Sequence, residues 1–352
     1  MILAGDIGGT KTLLGLFDWI TERVDAVRTQ SFVSADYQSL DEIVEEFLAD
    51  SSTAQSTEAG EEQEPGLRSD GKTGPASIAA ACFGVAGPVI DNRCRTTNLP
   101  WVVDGVDLEK TFSIPRVRLL NDLEATAYGL AVLKPDEVHT LNEGVPPPSK
   151  GAIALIAAGT GLGEAILYWD GSRYRPQASE GGHADFGPNS DIEIELLRYL
   201  RATYLHVSYE RVLSGAGLHA IYEFLRDTRK NEPTWLAERL RVGDPAPIIA
   251  EAGLKKQAEI CVQALDLFSS IYGAEAGNLA LKALALDAVY VGGGIAPKIL
   301  DKLKDGTFMK AFTAKGRYKR MMNQIPVRVV LNPMTALLGA AVVAAQLRGG
   351  SR

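Results

Sequence analysis

Four residues into the chain an apolar run meets a pair of glycines, and a second apolar run follows at once. The stretch reads Gly5-Asp6-Ile7-Gly8-Gly9-Thr10-Lys11-Thr12, then Leu13-Leu14-Gly15-Leu16-Phe17-Asp18. Short apolar runs on either side of a glycine pair spell strand, tight turn, strand. The pattern returns in the second half of the chain. Ala152 to Ala157 enters Ala158-Gly159-Thr160-Gly161-Leu162-Gly163, and Glu164-Ala165-Ile166-Leu167-Tyr168-Trp169 leaves it before Asp170-Gly171 closes the run. A unit repeated at this distance predicts two similar α/β halves facing each other across a cleft.

Two familiar glycine motifs are excluded by spacing. A P-loop needs Gly-Lys-Ser/Thr placed four residues after another glycine, whereas Lys11 follows Thr10. A dinucleotide-binding turn needs a glycine where Glu164 stands and a helix after it, whereas the residues that follow read as strand. What remains is bare backbone amide beside a hydroxyl, a lysine and an aspartate, a cradle for an anion with a bound metal, or else an ordinary hairpin turn. Lys11 reads as an exposed lysine at a strand edge.

Length and charge narrow the partners. With 352 residues, 46% of them hydrophobic and 23% charged, the chain is long enough for two domains of ordinary globular composition. A net charge of -8 gives no basic field for nucleic acid or an anionic membrane, so small-molecule chemistry is expected. Cys82, Cys94 and Cys261 are odd in number and scattered, which argues against a disulfide framework and a zinc site and fits a reducing, cytoplasmic setting. No basic segment precedes the first apolar run, and Asp6 would interrupt a signal core, so no export signal is expected.

Between the two turns the expected elements are a strand over Val24–Phe32, a helix from about Ser39 to about Asp50, and a strand within Ala76–Val85. Residues 51–75 hold almost nothing apolar and much Ser, Gly and Glu, and are expected to form a flexible acidic loop. Val117-Arg118-Leu119-Leu120 is a short buried strand that feeds Asn121-Asp122 and a helical pattern from Leu123 to Leu133. Ser190-Asp191-Ile192-Glu193 has the form of a capping box. A long helix is expected from about Ala258 to Ala285, with Gly273 and Gly277 admitting a close neighbour. Ala288–Val291 then opens into a third glycine turn, Gly292-Gly293-Gly294, and a last strand over Ile325–Leu331 precedes a closing helix from Pro333. The boundaries proposed are a small α/β domain of residues 1–132 plus 333–352 and a large one of residues 133–332.

Three glycine turns, each after a buried strand, suit the phosphates and ribose of one nucleotide better than any single turn. Asp122 sits where a buried strand opens a helix, a place at which the helix N-terminus favours an ionised carboxylate and α/β folds put their ligands. The plainer alternative is that Asn121 or Asp122 only caps the helix. Glu180-Gly181-Gly182-His183-Ala184-Asp185-Phe186-Gly187 gathers carboxylates and an imidazole around paired glycines, groups able to bond several hydroxyls of a sugar. His139, His206 and His219 read as surface or packing residues. Glu210 alone reads as a solvated charge or a cap.

Six motifs in this order, Asp6-Ile7-Gly8-Gly9-Thr10, Leu120-Asn121-Asp122, Ala158 to Gly163, Glu180-Gly181-Gly182-His183, Glu210-Arg211-Val212-Leu213-Ser214-Gly215 and Gly292-Gly293-Gly294, resemble those of bacterial ATP-dependent glucokinases. The resemblance runs over nearly the whole chain. It implies the actin-like, hexokinase-type α/β fold of two ribonuclease-H-like domains around a cleft, ATP with Mg2+ as donor, glucose as acceptor, and a homodimer. It makes Asp122 the catalytic base and Asn121, Glu180, His183 and Glu210 glucose-binding residues. It assigns Gly8, Gly9 and Thr10, with Gly159, Thr160 and Gly161, to two phosphate loops, puts Asp6 near the metal, and gives Gly292, Gly293 and Gly294 to the adenosine side. No cysteine-rich zinc motif follows His183, which separates the chain from the related repressor and sugar-kinase family. A kinase for another hexose or N-acetylhexosamine, or a non-catalytic sugar and ATP sensor, is the alternative.

Overall fold

The protein is described by a computed structural model, which covers residues 1–20, 23–53, 77–97, 99–145, 147–229 and 231–348. Most of the acidic stretch 51–75 lies outside these residues; its first three continue the preceding helix to Thr53, past the expected end near Asp50. In chain order the elements are β1 (Ile2–Ile7), β2 (Lys11–Ile20), β3 (Arg23–Val33), α1 (Leu40–Thr53), β4 (Ala81–Val85), β5 (Val89–Ile90), β6 (Arg93–Arg95), β7 (Val102–Asp104), α2 (Gly105–Phe112), β8 (Val117–Asn121) and α3 (Asp122–Gly129). They continue with β9 (Val138–Asn142), β10 (Ile153–Ala158), β11 (Leu162–Trp169), β12 (Tyr174–Ser179), α4 (Asp191–Arg201), α5 (Gly215–Arg229), α6 (Thr234–Val242), α7 (Pro245–Leu254) and α8 (Glu259–Ala283). The last are β13 (Ala288–Gly292), α9 (Leu300–Leu303), α10 (Thr307–Thr313), α11 (Lys319–Met322), β14 (Val327–Val330) and α12 (Thr335–Arg348). Two compact units divide them, Met1–Leu133 with Met334–Arg352, and Lys134–Pro333.

In the first unit the sheet runs β3-β2-β1-β4-β8. β1 pairs antiparallel with β2, closing the glycine turn at Ile7 and Thr12, while β4 and β8 join in parallel. Side chains alternate across β1, as a strand requires. Leu3 and Ile7 pack with Ile43, Val44 and Phe47 of α1, and Ile2 and Ala4 pack with Ala125 of α3 and Leu337, Ala340, Ala341 and Ala344 of α12. Asp6, in step with Ile2 and Ala4, therefore falls on the face that carries α3. Glycines let α3 and α12 touch: a Cβ on Gly339 would overlap the Ala125 carbonyl, and one on Gly129 would overlap that of Thr335.

A second, three-stranded sheet, β5-β6-β7, gives no clear signal in sequence. Its hairpin turns at Asp91-Asn92, both at positive φ (50° and 60°), a conformation for which Asn and Asp are the tolerated non-glycine residues. The Asn92 amide then spans the edge of β8, donating to the Val117 carbonyl at 2.9 Å and accepting the Leu119 amide at 2.7 Å. The strand that delivers Asn121 and Asp122 is braced from that side.

The second unit repeats the course with one strand added, β12-β11-β10-β13-β14-β9. β12, β11 and β10 are antiparallel neighbours, β10, β13 and β14 are parallel, and β9 closes the far edge antiparallel. Both sheets thus have the strand order of a ribonuclease-H-like half. The long helix α8 runs through the core of this unit. At Gly273 and Gly277 the backbone of α10 comes so near that a Cβ would overlap the Phe308 carbonyl and stand 2.6 Å from that of Phe312. The capping box at α4 forms differently from expectation. Ser190 is the N-cap without a side-chain bond, and Glu193 reaches back one residue further, accepting the Asn189 amide at 2.6 Å.

All three cysteines are free and buried. Among the described residues no helix is long and apolar enough to cross a membrane.

Replacing Gly273 by alanine forces a methyl group into the Phe308 carbonyl, so the variant is expected to lose about 1–3 kcal/mol of stability, read as a lower thermal midpoint. An unchanged midpoint would show that α10 is free to retreat.

Candidate active site

The candidate residues fall into one set on each unit. In the first unit Asp6, next to last in β1, is a partly buried carboxylate, and the chain turns at Gly8, Gly9 and Thr10. The turn is held from behind. The Gly8 amide donates to the Lys11 carbonyl at 3.0 Å, the Ser34 amide donates to the Thr10 carbonyl at 3.1 Å, and the Ser34 hydroxyl donates to the Gly8 carbonyl at 2.8 Å. Thr12, fully buried like Ser34, joins its hydroxyl to Ser34 at 3.0 Å. These bonds consume carbonyls and leave the Gly9 and Thr10 amides without a partner among the described residues. Adjacent unpaired amides are what an anion needs. Ser34 carries no mark in the sequence, because its role depends on a contact across the sheet.

Asp122 is the first residue of α3 and is exposed; its Oδ1 accepts the Leu123 amide at 2.8 Å. Asn121 is the N-cap. Its Oδ1 accepts the same amide at 3.0 Å and its Nδ2 donates to the Gly87 carbonyl at 3.1 Å, so the side chain is fixed at both ends. Both side chains thus meet the Leu123 amide, Asn121 as the N-cap and Asp122 as the first residue of the helix, and Asp122 presents an exposed carboxylate at the end of β8. The charge of Asp122 bears on Asp6. Burial, and then the charge of Asp122, push the Asp6 pKa up to about 7, with the Lys11 ammonium pulling against them. Lys11 opens β2, which lies between β1 and β3 inside the sheet, so it is an exposed lysine beside the turn and electrostatically a partner of Asp6.

In the second unit two glycine turns and two loops are stitched together. Leu162, first residue of β11, is the knot. Its amide donates to Glu210 Oε2 at 3.0 Å, and its carbonyl lies against Gly182, where a Cβ would overlap it. Gly161 is likewise pressed on Glu210 Oε2. Glu210, which the resemblance gives to the sugar alone, therefore also anchors the turn Gly159-Thr160-Gly161. From below, the Gly215 amide donates to the Gly159 carbonyl at 2.9 Å, and Ser214 ties the same segment to the Glu210 carbonyl at 2.8 Å.

The loop Glu180–Gly187 joins the Glu210 segment by backbone bonds, Phe186 amide to Val207 carbonyl at 2.9 Å and Tyr209 amide to Ala184 carbonyl at 3.0 Å. His183 and Glu210 consequently line one cavity of about 420 Å³, together with Tyr204, His206, Ser208 and Arg211. Glu180 and His183 are exposed, with Glu180 Oε2 3.9 Å from His183 Nε2. Asp185 departs from the grouping read in sequence: it pairs at 2.8 Å with His206, a histidine read there as surface or packing. Beneath Gly181 lies Glu164, buried, its carboxyl pushed up to about 7 by burial first and by the neighbouring Glu275 second.

The third turn adjoins the second. A Cβ on Gly159 would stand 3.9 Å from the Gly294 amide, and the Ile295 amide donates to the Ala158 carbonyl at 3.1 Å. Gly293, at φ 81° and pressed on that carbonyl, admits no side chain, whereas Gly294 faces open space. Among the described residues no three His, Cys, Asp or Glu are grouped to hold a metal ion. A single carboxylate such as Asp6, beside unpaired amides, fits a metal that arrives on a phosphate ligand.

Comparison with known proteins gives the family. The glucokinase family model matches residues 3–347. Relatives named glucokinase include those of Nostoc punctiforme, 40% identical over 362 residues with 99% of each chain covered, and Synechocystis sp., 42% identical over 365 residues with 98% of each covered. The relative from Cronobacter sakazakii is 32% identical over 347 residues, covering 99% of this chain and 98% of that one. Among solved structures, glucokinase from an Antarctic psychrotroph superposes with a TM-score of 0.80 at 28% identity over 98% of both chains. A ROK family glucokinase from Streptomyces griseus, solved with glucose and AMPPNP, gives 0.60 at 22% identity over 98% of this chain and 99% of its own, a likeness of fold. The match over nearly all of its length shows that the chain belongs to the glucokinase family, kinases that phosphorylate glucose with ATP.

Proposed function

We propose a division of labour among the residues for this reaction, in which Asp122 is the base. The observation that carries it is the place of Asp122: it is an exposed carboxylate where β8 ends and α3 begins, oriented there by the Leu123 amide on its Oδ1. As the 6-hydroxyl oxygen of glucose attacks the γ-phosphorus of ATP, its proton passes to the Asp122 carboxylate, the bond to the bridging oxygen breaks, and ADP leaves. Asp122 later returns the proton to solvent. Asn121, Glu180, His183 and Glu210 pair the sugar hydroxyls; a site built to do so leaves its own polar groups unsatisfied when a hydroxyl is absent or inverted.

The turns Gly8-Gly9-Thr10 and Gly159-Thr160-Gly161 receive phosphate oxygens on their amides, and Gly292-Gly293-Gly294 supports the adenosine side. Asp6 is the residue that meets Mg2+, directly or through water. When bound, the ion supplies charge that neutralises the phosphate oxygens during transfer. The kinship extends the reading to a cytoplasmic homodimer with residues 1–132 plus 333–352 and 133–332 as its domains, and sedimentation at equilibrium tests the dimer.

Asp122→Asn is expected to lower kcat by roughly 10²- to 10⁴-fold while leaving the glucose Kd within about threefold. Turnover that survives the substitution removes Asp122 from the role. A panel of mannose, fructose and N-acetylglucosamine, followed by ADP release, is expected to show slower turnover than glucose for each.

Asp6 gives a prediction in pH. Its pKa is raised in the folded protein, to about 7 from 3.8, so the folded state holds a proton that the unfolded state releases across that window, and stability falls as pH rises through it. Asp6→Asn does not titrate. Its thermal midpoint should gain on the wild type between about pH 4 and pH 7, by the equivalent of about 1–3 kcal/mol, and hold that lead above pH 7. MgATP added above pH 7 should stabilise the wild type more than the variant. A difference independent of pH would mean that Asp6 is not held protonated.

A further inference from the structure

Helix α8 sends a tyrosine hydroxyl into the sheet it covers. Tyr272 is fully buried, its ring edge-on to Phe268 and Phe308 at centroid distances of 5.9 and 5.7 Å, so the hydroxyl has a fixed seat. That seat is the carboxyl end of the β10–β13 pair. The hydroxyl accepts the Ala158 amide at 3.1 Å and donates to the Gly292 carbonyl at 3.2 Å, with the Ile156 carbonyl further off at 3.5 Å.

Ala158 and Gly292 are the last residues of their strands, and a glycine turn follows each directly. The two turns rest on the same residue. The Ala158 carbonyl takes the Ile295 amide and abuts Gly293, while the Ala158 amide is held by Tyr272. One hydroxyl thus sets the spacing between two turns at the point where the strands cease to pair. Burial raises the Tyr272 pKa, which keeps its proton in place to be donated. Phenylalanine would fill the same space and leave a buried amide and a buried carbonyl without that partner.

We propose that Tyr272 is a positioning residue for the nucleotide, holding the turns Gly159–Gly161 and Gly292–Gly294 at the separation that ATP requires. This rests on the reading of those turns as the ATP cradle. Uniform binding is what such a residue contributes, so Tyr272→Phe should raise the ATP Kd and KM about tenfold, with kcat at saturating ATP within about threefold and the glucose Kd unchanged. A packing role alone would lower the thermal midpoint and the active fraction and leave the ATP KM where it was, which overturns the proposal.

Gly294→Val separates this inference from the reading beneath it. Gly294 faces open space, so the protein accommodates the side chain, which then occupies the nucleotide's place. If Gly294→Val binds ATP normally, the cradle itself is misassigned. If it loses ATP and Tyr272→Phe does not, the cradle stands and Tyr272 has no part in it. A measurement on the wild type guards against a variant that fails to fold: on adding ATP without glucose, hydrogen exchange should slow together in segments 155–161 and 288–295. Slowing in one segment only overturns the coupling of the turns.

Discussion

Every part of the candidate site hangs on backbone groups that a sheet stops pairing. At the carboxyl ends of β1, β8, β10 and β13 the ladders end and the chain turns away. Amides and carbonyls that neither ladder nor water satisfies are costly when buried, and those left open are available to a ligand. The protein settles the first kind with side chains from other elements. Ser34 takes the Gly8 carbonyl, Asn92 takes the edge of β8, Tyr272 takes Ala158 and Gly292, and Glu210 takes Leu162. What remains open is the surface proposed for phosphate.

Seen so, the glycines have two distinct duties. Some exist because something must come close: Gly182 to the Leu162 carbonyl, Gly161 to Glu210, Gly339 to the Ala125 carbonyl. At others, such as Gly294, a side chain would meet no protein atom. Packing does not explain a glycine of that kind, and room for a ligand is the better account.

Much of this was legible in the sequence where the signal is local. The strand–turn–strand repeat, the strand before Asn121-Asp122 and the long helix with Gly273 and Gly277 follow from apolar period and glycine placement. The order of the motifs carried the family. Elements built from two or three residues were not legible: β5, β6 and β7 are too short for a period to show, and their turn is Asp91-Asn92 where Asn-Gly would have announced a hairpin. The helix α1 ran past its expected end, since a boundary in a polar sequence has no apolar residue to mark it. Nor were the braces legible. Ser34, Asn92 and Tyr272 each act on a partner more than twenty residues away, and nothing in a serine, an asparagine or a buried tyrosine declares which carbonyl it will meet. Glu210 was assigned to the sugar through its neighbours in sequence, while its bond to Leu162 lies across the fold.

The return of α12 to the first unit has a consequence for synthesis. Residues 134–333 form a contiguous unit that a ribosome can release whole, but the first unit is finished only by the final helix. Until then one face of its sheet, with Ile2, Ala4, Phe17 and Leu120, lacks the Leu337, Ala341 and Val343 that cover it, and α3, which carries Asp122, lacks its glycine-fitted neighbour. A nascent chain of this protein thus carries an exposed apolar surface through most of its translation, the kind of surface that chaperones bind and that aggregates. The helix that begins with Asp122, the base proposed for catalysis, thus gains its close neighbour only when α12 has been made.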